Sequence, residues 1–327
     1  MDFRTPVSIN AGFKLGYTDT IMMLGSCFTE NIGQKLADAK MNVVINPTGI
    51  LFNPESIAEA VRMVINGNPI GENDVFEHNG LWSSLMFHGR FSSPDKQEAL
   101  DMMNSGIALA HKQLKSTTVL ILTFGTAFVY RNKADGRIVA NCHKLPASNF
   151  ERQMLSVDDI TNSYSNLIEQ LAAINPAMQI VLTVSPVRHL LDGAHPNQIS
   201  KSTLLLATDW LTRQYGNVHY FPSYEIMMDD LRDYRFYAAD MVHPSDLAVD
   251  YIWQLLRESC ISPADNALID EIAKLCAAVN HRPLNPGSAE FKQFARKQLA
   301  AVRQMALQHP EINFESELSH WEKIMAR

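Results

Sequence analysis

Five short apolar runs, each followed by a longer stretch of helical periodicity, constrain this chain more than any other feature. The runs are Ile21-Met22-Met23-Leu24, Val43-Val44-Ile45, Val119-Leu120-Ile121-Leu122, Ile180-Val181-Leu182-Thr183-Val184 and Val218-His219-Tyr220-Phe221. This is the pattern of a five-stranded parallel sheet with helices on both faces. After the first run Phe28, Ile32 and Leu36 recur at i, i+4 and i+8 while Glu30, Gln34 and Lys35 fall off that stripe. The spacing predicts a helix that starts at Ser26 or Cys27 and packs one face on the sheet. Pro54 suits a first helical turn, Ile57, Val61 and Val64 form an inner stripe, and Gly67 ends that helix. Further helices are expected over about residues 95–115, 156–174, 200–215 and 244–259.

A chain of 327 residues has room for one large α/β domain or two small ones. With 46% hydrophobic and 19% charged residues, disorder is excluded as its general state. A net charge of -7, from 28 basic and 35 acidic residues, offers no overall attraction to phosphate polymers, so no nucleic-acid partner is expected. No apolar run reaches the roughly 18–20 residues of a membrane span, and residues 1–10 lack the apolar core of a secretion signal. The expectation is a soluble, cytoplasmic protein with no membrane partner. Cys27, Cys142, Cys260 and Cys276 show no CxxC spacing and read as reduced thiols.

Two interruptions break the alternation. Residues 67–94 are rich in Gly, Asn, His and Trp, and an insertion of that length reads as a lid or binding loop, with Trp82 and His88 as its candidate contacts, or as plain exposed loop. Phe128-Val129-Tyr130 and Ile138-Val139-Ala140 flank Asp135-Gly136, a hairpin signal that brings Asn141-Cys142-His143-Lys144 back toward the third strand. Beyond Pro263 the pattern is helical without strands. The expected organisation is an α/β domain over 1–263 and a helical extension over 264–327 that covers its core or offers a partner surface.

In an open parallel sheet ligands bind off the carboxyl ends of the strands, where strand order reverses. The polar residues there are Gly25-Ser26-Cys27, Asn46-Pro47-Thr48-Gly49, Gly125-Thr126, Ser185-Pro186-Val187-Arg188-His189 and, before the last helix, Asp240-Met241-Val242-His243. Cys27 stands at a helix N-terminus, where free N–H groups and the macrodipole lower a thiol pKa and make a nucleophile; a buried cysteine that only fills space is the alternative. Asp240 and His243 are spaced so that a carboxylate can orient an imidazole, or so that a surface Asp sits beside a helix-capping His.

The line Met23-Leu24-Gly25-Ser26-Cys27-Phe28-Thr29-Glu30-Asn31-Ile32-Gly33 resembles the opening of the GSCFA family, whose signature has Ala where this chain has Thr29. Asn141-Cys142-His143-Lys144-Leu145-Pro146, Ser185-Pro186-Val187-Arg188-His189 and Phe221-Pro222-Ser223-Tyr224-Glu225 followed by Asp240-Met241-Val242-His243-Pro244-Ser245 extend the resemblance over about residues 21–256. That family is grouped with the SGNH (GDSL-type) hydrolases. The resemblance implies a three-layer αβα, flavodoxin-like fold and an esterase that uses no cofactor and no metal, acting on a small-molecule or carbohydrate ester. Gly25, Ser26 and Cys27 fall on the Gly-Asp-Ser opening, so Cys27 takes the nucleophile position, with Ser26 beside it as an alternative, and Asp240 and His243 complete a triad.

Gly49 suits the glycine oxyanion donor of that superfamily, but Gly125-Thr126-Ala127-Phe128 has Ala127 where an asparagine donor belongs. Since one such donor is worth roughly 2.7–4 kcal/mol of barrier, another group must serve or catalysis is impaired; Gly125, Asn141, His143 and His189 are the candidates. Arg188 suits a carboxylate or phosphate clamp, or a salt bridge to Asp192. Three functions follow: an ester hydrolase or acyltransferase, a non-catalytic descendant that binds a carbohydrate or acylated ligand, and a metal-dependent hydrolase using Cys27, His243, His143 or His189.

Overall fold

The computed structural model describes residues 4–281 and 283–326. Its central sheet comprises β1 (Thr20–Gly25), β2 (Asn42–Ile45), β3 (Val119–Phe124), β4 (Gln179–Val184) and β5 (Val218–Tyr220), in the order β5-β4-β3-β1-β2 with every pair parallel. The five apolar runs are these five strands. The chain leaves β1 for β2 on one side and returns to β3 on the other, so strand order reverses between β1 and β3. Alternate strand residues serve different layers: Ile21, Met23, Val119, Ile121 and Val181 join one apolar cluster, and Met22, Leu24, Leu120, Leu122 and Leu182 the other.

Helix α1 (Cys27–Asp38) packs Phe28, Ile32 and Leu36 on the first face together with α6 (Asp246–Cys260). On the second face lie α2 (Pro54–Asn66), the end of α3 (Lys96–Leu114), α4 (Val157–Ile174) and α5 (Ala194–Gln214). Local chemistry sets the ends. The Asn53, Asp95 and Ser156 side chains accept from the N–H groups of Ser56, Glu98 and Asp159, and Gly67 closes α2 at φ +64°. Two starts differ from expectation. Helix α5 begins at Ala194, six residues before 200, and α6 begins after a Ser245 cap, which leaves Pro244 outside the helix in an isolated bridge with Tyr237.

The 67–94 insertion folds as a hairpin, Phe76–His78 against Leu81–Ser83, turned by Asn79 and Gly80, both at positive φ. It packs with α3 through Phe87, Leu100 and Met103 in a third cluster. The expected hairpin after β3 forms with Tyr130 opposite Val139, and a third strand, Phe150–Met154, which the sequence pattern did not signal, pairs along its other side. C-terminal helices α7 (Pro263–Val279), α8 (Ala289–Gln308) and α9 (Glu315–Met325) bring Ile272, Val302 and Trp321 into the same cluster as β1 and α1. No helix among the described residues is long and apolar enough to cross a membrane.

Candidate active site

Strand β1 turns into α1 within one residue, and Gly25 makes this possible. It sits at φ +148°, and a Cβ there would lie 2.4 Å from the Thr123 carbonyl. The Gly25 N–H donates to the Asn46 carboxamide at 2.8 Å, tying the ends of β1 and β2 together. Ser26 is the N-cap, fully buried, with an Oγ that finds no partner. Cys27, the first helical residue, is partly exposed. Its thiol lies against the N–H groups of Phe28 and Cys27, yet burial raises its pKa, aided by Glu30 and opposed by those N–H groups and by Lys201. The expected low-pKa thiol is therefore corrected: in this site desolvation outweighs the helix terminus, and the resting form is the thiol.

Lys201 was not singled out from the sequence. It lies on the buried face of α5 with Leu204, Ala207 and Leu211, and its Nζ donates to the carbonyls of Gly125 and Ser185, both at 2.6 Å, bridging the carboxyl ends of β3 and β4. Burial, then the charge of Arg188, lowers its pKa to about 7, with Cys27 pulling the other way. A lysine in phase with a helix's apolar stripe was the available signal.

Asp240 and His243 meet as expected. His243 Nδ1 is 2.6 Å from Asp240 Oδ2, and Asp240 Oδ1 accepts from the N–H groups of Val242 and His243, both at 3.0 Å. These donors, the His243 N–H first, lower the Asp240 pKa to about 2. Both side chains are about half exposed. Their loop lies over the end of β4, where the Arg188 N–H donates to the Val242 carbonyl at 3.0 Å.

The oxyanion candidates separate clearly. The Gly49 N–H donates to the Asn46 carbonyl at 2.8 Å and the Gly125 N–H to the Phe52 carbonyl at 2.7 Å, so both are engaged inside the fold rather than free, a correction to the expectation for each. His143 is also withdrawn: its Nε2 contacts the carbonyls of Ser84 and Phe87 at 2.8 and 3.0 Å, fastening the insertion to the hairpin. Asn141 accepts from the His143 N–H through Oδ1 and lines a cleft beside the strand ends. His189 lies against Gly125, where an added Cβ would come within 3.0 Å of its Nε2, and that nitrogen is buried without a partner. Burial, then the charges of Lys201, His243 and Arg152, lower the His189 pKa to about 3, so the ring is neutral. The Arg188–Asp192 bridge does not form, because Arg152 takes Asp192.

Trp82 packs within the insertion under Lys96, and His88 covers Gly49, where a Cβ would sit 2.2 Å from its own. Among the described residues no three His, Cys, Asp or Glu side chains gather as a ligand set.

Fold and site define a doubly wound parallel α/β protein with its polar groups gathered at the carboxyl ends of the strands. The chain belongs to the GSCFA family, whose model matches residues 20–255, and the model of the GSCFA domain protein C-terminal domain matches residues 272–327. No curated protein matches it in sequence. Among solved structures, a Streptococcus pneumonia protein assigned as a platelet activating factor is 14% identical, with a TM-score of 0.39, covering 73% of this chain and 83% of its own. A carbohydrate esterase family 3 protein from Talaromyces cellulolyticus is 11% identical, with a TM-score of 0.35 and coverage of 77% and 99%. The acetyl xylan esterase Est2A from the rumen bacterium Butyrivibrio proteoclasticus is 11% identical, with a TM-score of 0.36 and coverage of 74% and 64%. Likenesses this distant carry no inference about chemistry.

Proposed function

We propose that the protein hydrolyses esters, with Cys27 as nucleophile, His243 as base and then acid, and Asp240 as the group that orients His243. The observation that carries this reading is the Asp240–His243 pair: a carboxylate fixed by two backbone N–H groups holds Nδ1 as the donor nitrogen and leaves Nε2 as the base. The raised thiol pKa of Cys27 makes such a base necessary. His189 is within reach of the charges of both Lys201 and His243, and Lys201 of Cys27, which supports one shared locale. In the reaction Cys27 Sγ bonds to the ester carbonyl carbon as its proton passes to His243. The C–O bond then breaks and the alkoxide leaves with that proton. Water, deprotonated by His243, then attacks the thioester carbonyl, and the C–S bond breaks as that proton passes to Cys27 Sγ, releasing the acid. Ser26 is disfavoured as nucleophile by its burial. An alcohol in place of water makes the same residues an acyltransferase. The proposed substrate class is a small-molecule or carbohydrate ester.

Kinetics on p-nitrophenyl acetate and acetylated sugars test this. Cys27→Ala is expected to lower kcat/KM by about 10³-fold or more, and Ser26→Ala to preserve most of it. Full turnover by Cys27→Ala sinks the reading. A second reading, a binding protein without catalysis, is favoured by Ala127: it is buried, lacks a donor side chain, and gives its N–H to Ser200 Oγ at 2.7 Å. Absence of turnover on every ester, with ligand-induced thermal stabilisation, selects it.

A further inference from the structure

Beside the strand ends lies a cavity of about 590 Å³ between the three-stranded hairpin and the loop after β4, within the range of roughly 300–1,000 Å³ that small ligands occupy. Its walls are mainly apolar and aromatic, with Phe52, Phe128, Phe150 and Leu191 among them, and Val242 from the Asp240–His243 loop closes one side. Leu191 is 78% exposed at its mouth. An acetyl group would leave most of this space empty.

The charge inside is one-sided. Among the described residues no aspartate or glutamate lines the cavity, although the chain carries 35 acidic residues against 28 basic, while Arg152 and Arg188 both do. Arg152 is neutralised by Asp192 and stacked on the Phe128 and Tyr130 rings. Arg188 is different. Its Nε is buried without a partner, its Nη1 reaches only the Met228 thioether at 3.7 Å, and no carboxylate pairs with it among the described residues. An arginine that lines an apolar cleft and has no carboxylate partner among the described residues is a site for the carboxyl group of an apolar molecule.

We propose that this cleft binds the acyl half of the ester, an apolar carboxylic acid unit whose chain lies against Phe128, Phe150 and Leu191 and whose carboxylate, once released, is held by Arg188. It rests on the hydrolase reading only in naming the bound acid as product; binding itself needs no turnover.

The test is calorimetric titration of the Cys27→Ala protein with octanoate, octanamide and acetate. Octanoate is expected to bind, octanamide more weakly, and acetate not detectably. Arg188→Gln and Leu191→Glu are each expected to weaken octanoate roughly ten- to hundredfold, and Leu191→Glu to weaken octanamide, which lacks the charge, by less. The Leu191 substitution alters an exposed side chain and leaves the core intact. Octanoate no tighter than acetate, or unaffected by Leu191→Glu, overturns the proposal. Failure here with wild-type turnover intact sinks only the acyl cleft; octanoate binding in a Cys27→Ala protein that still turns over sinks only the hydrolase reading.

Discussion

A thiol on the first turn of a helix and a thiol inside a crevice are pulled in opposite directions, and at Cys27 burial prevails. Its reactivity then depends on a base. With His243 in that role, His243→Ala is expected to slow iodoacetamide alkylation of Cys27 at pH 7.5 by about tenfold or more and to leave Cys142 unchanged. Equal rates in variant and wild type would separate the two residues. Cys260, buried and pushed up to about 11, is expected to label slowest of the four. Lys201 gives a prediction in stability. Its folded pKa of about 7 lies below the ordinary 10.5, so between those values the unfolded chain binds a proton that the folded one does not, and stability rises with pH across that window. In a Cys27→Ser background, Lys201→Met should remove this rise, at most about 1.4 kcal/mol per pH unit, measured by urea unfolding at pH 7 and 9.5. A flat difference would show that Lys201 titrates normally. The Asp240–His243 spacing was readable because a separation of three positions within one loop suffices to define it. The engagement of His143 and Gly49 was not, since their partners lie on segments remote in sequence or in turn geometry that no motif encodes.

At the scale of elements, what could be read was what is local. Pro54 and Gly67 bracket α2, and Asn53 caps it by accepting from the Ser56 N–H at 2.8 Å. Asn53→Ala is therefore expected to cost ~1 kcal/mol, seen as a lower urea midpoint at unchanged slope; no shift would mean that the cap is replaced by water. Asn79-Gly80 was an equally local hairpin signal, and it is overlooked when composition marks residues 67–94 as an irregular loop. The strand Phe150–Met154 is another matter. It pairs with Phe128–Asn132 across a long excursion and its inward positions are held by Arg152 stacking on Phe128 and Tyr130, a cation–π solution that hydrophobic periodicity does not register. The first turns of helix α5 escape the apolar pattern because they carry Asn197 and Ser200, polar residues buried against the His189 N–H and the Ala127 N–H, and their inward stripe does not look apolar.

For the whole molecule, the domain division over 1–263 and 264–327 separates two sequence patterns, and we propose that the second folds as a cover of the first. Trp321, 1% exposed, shares a cluster with Leu36, Ile21 and Val119, and Lys40, just past α1, pairs with Glu317 on α9 at 2.8 Å. Because these helices share one apolar cluster with β1 and α1, the chain should unfold in one transition. Trp321→Ala is expected to destabilise that transition by about 3–5 kcal/mol, with circular dichroism and amide exchange in β1 and β3 shifting together. A two-step unfolding in which the C-terminal helices melt first and the β1 and β3 amides keep wild-type protection would establish residues 264–327 as an independent unit, and would free its apolar face for a partner other than this sheet.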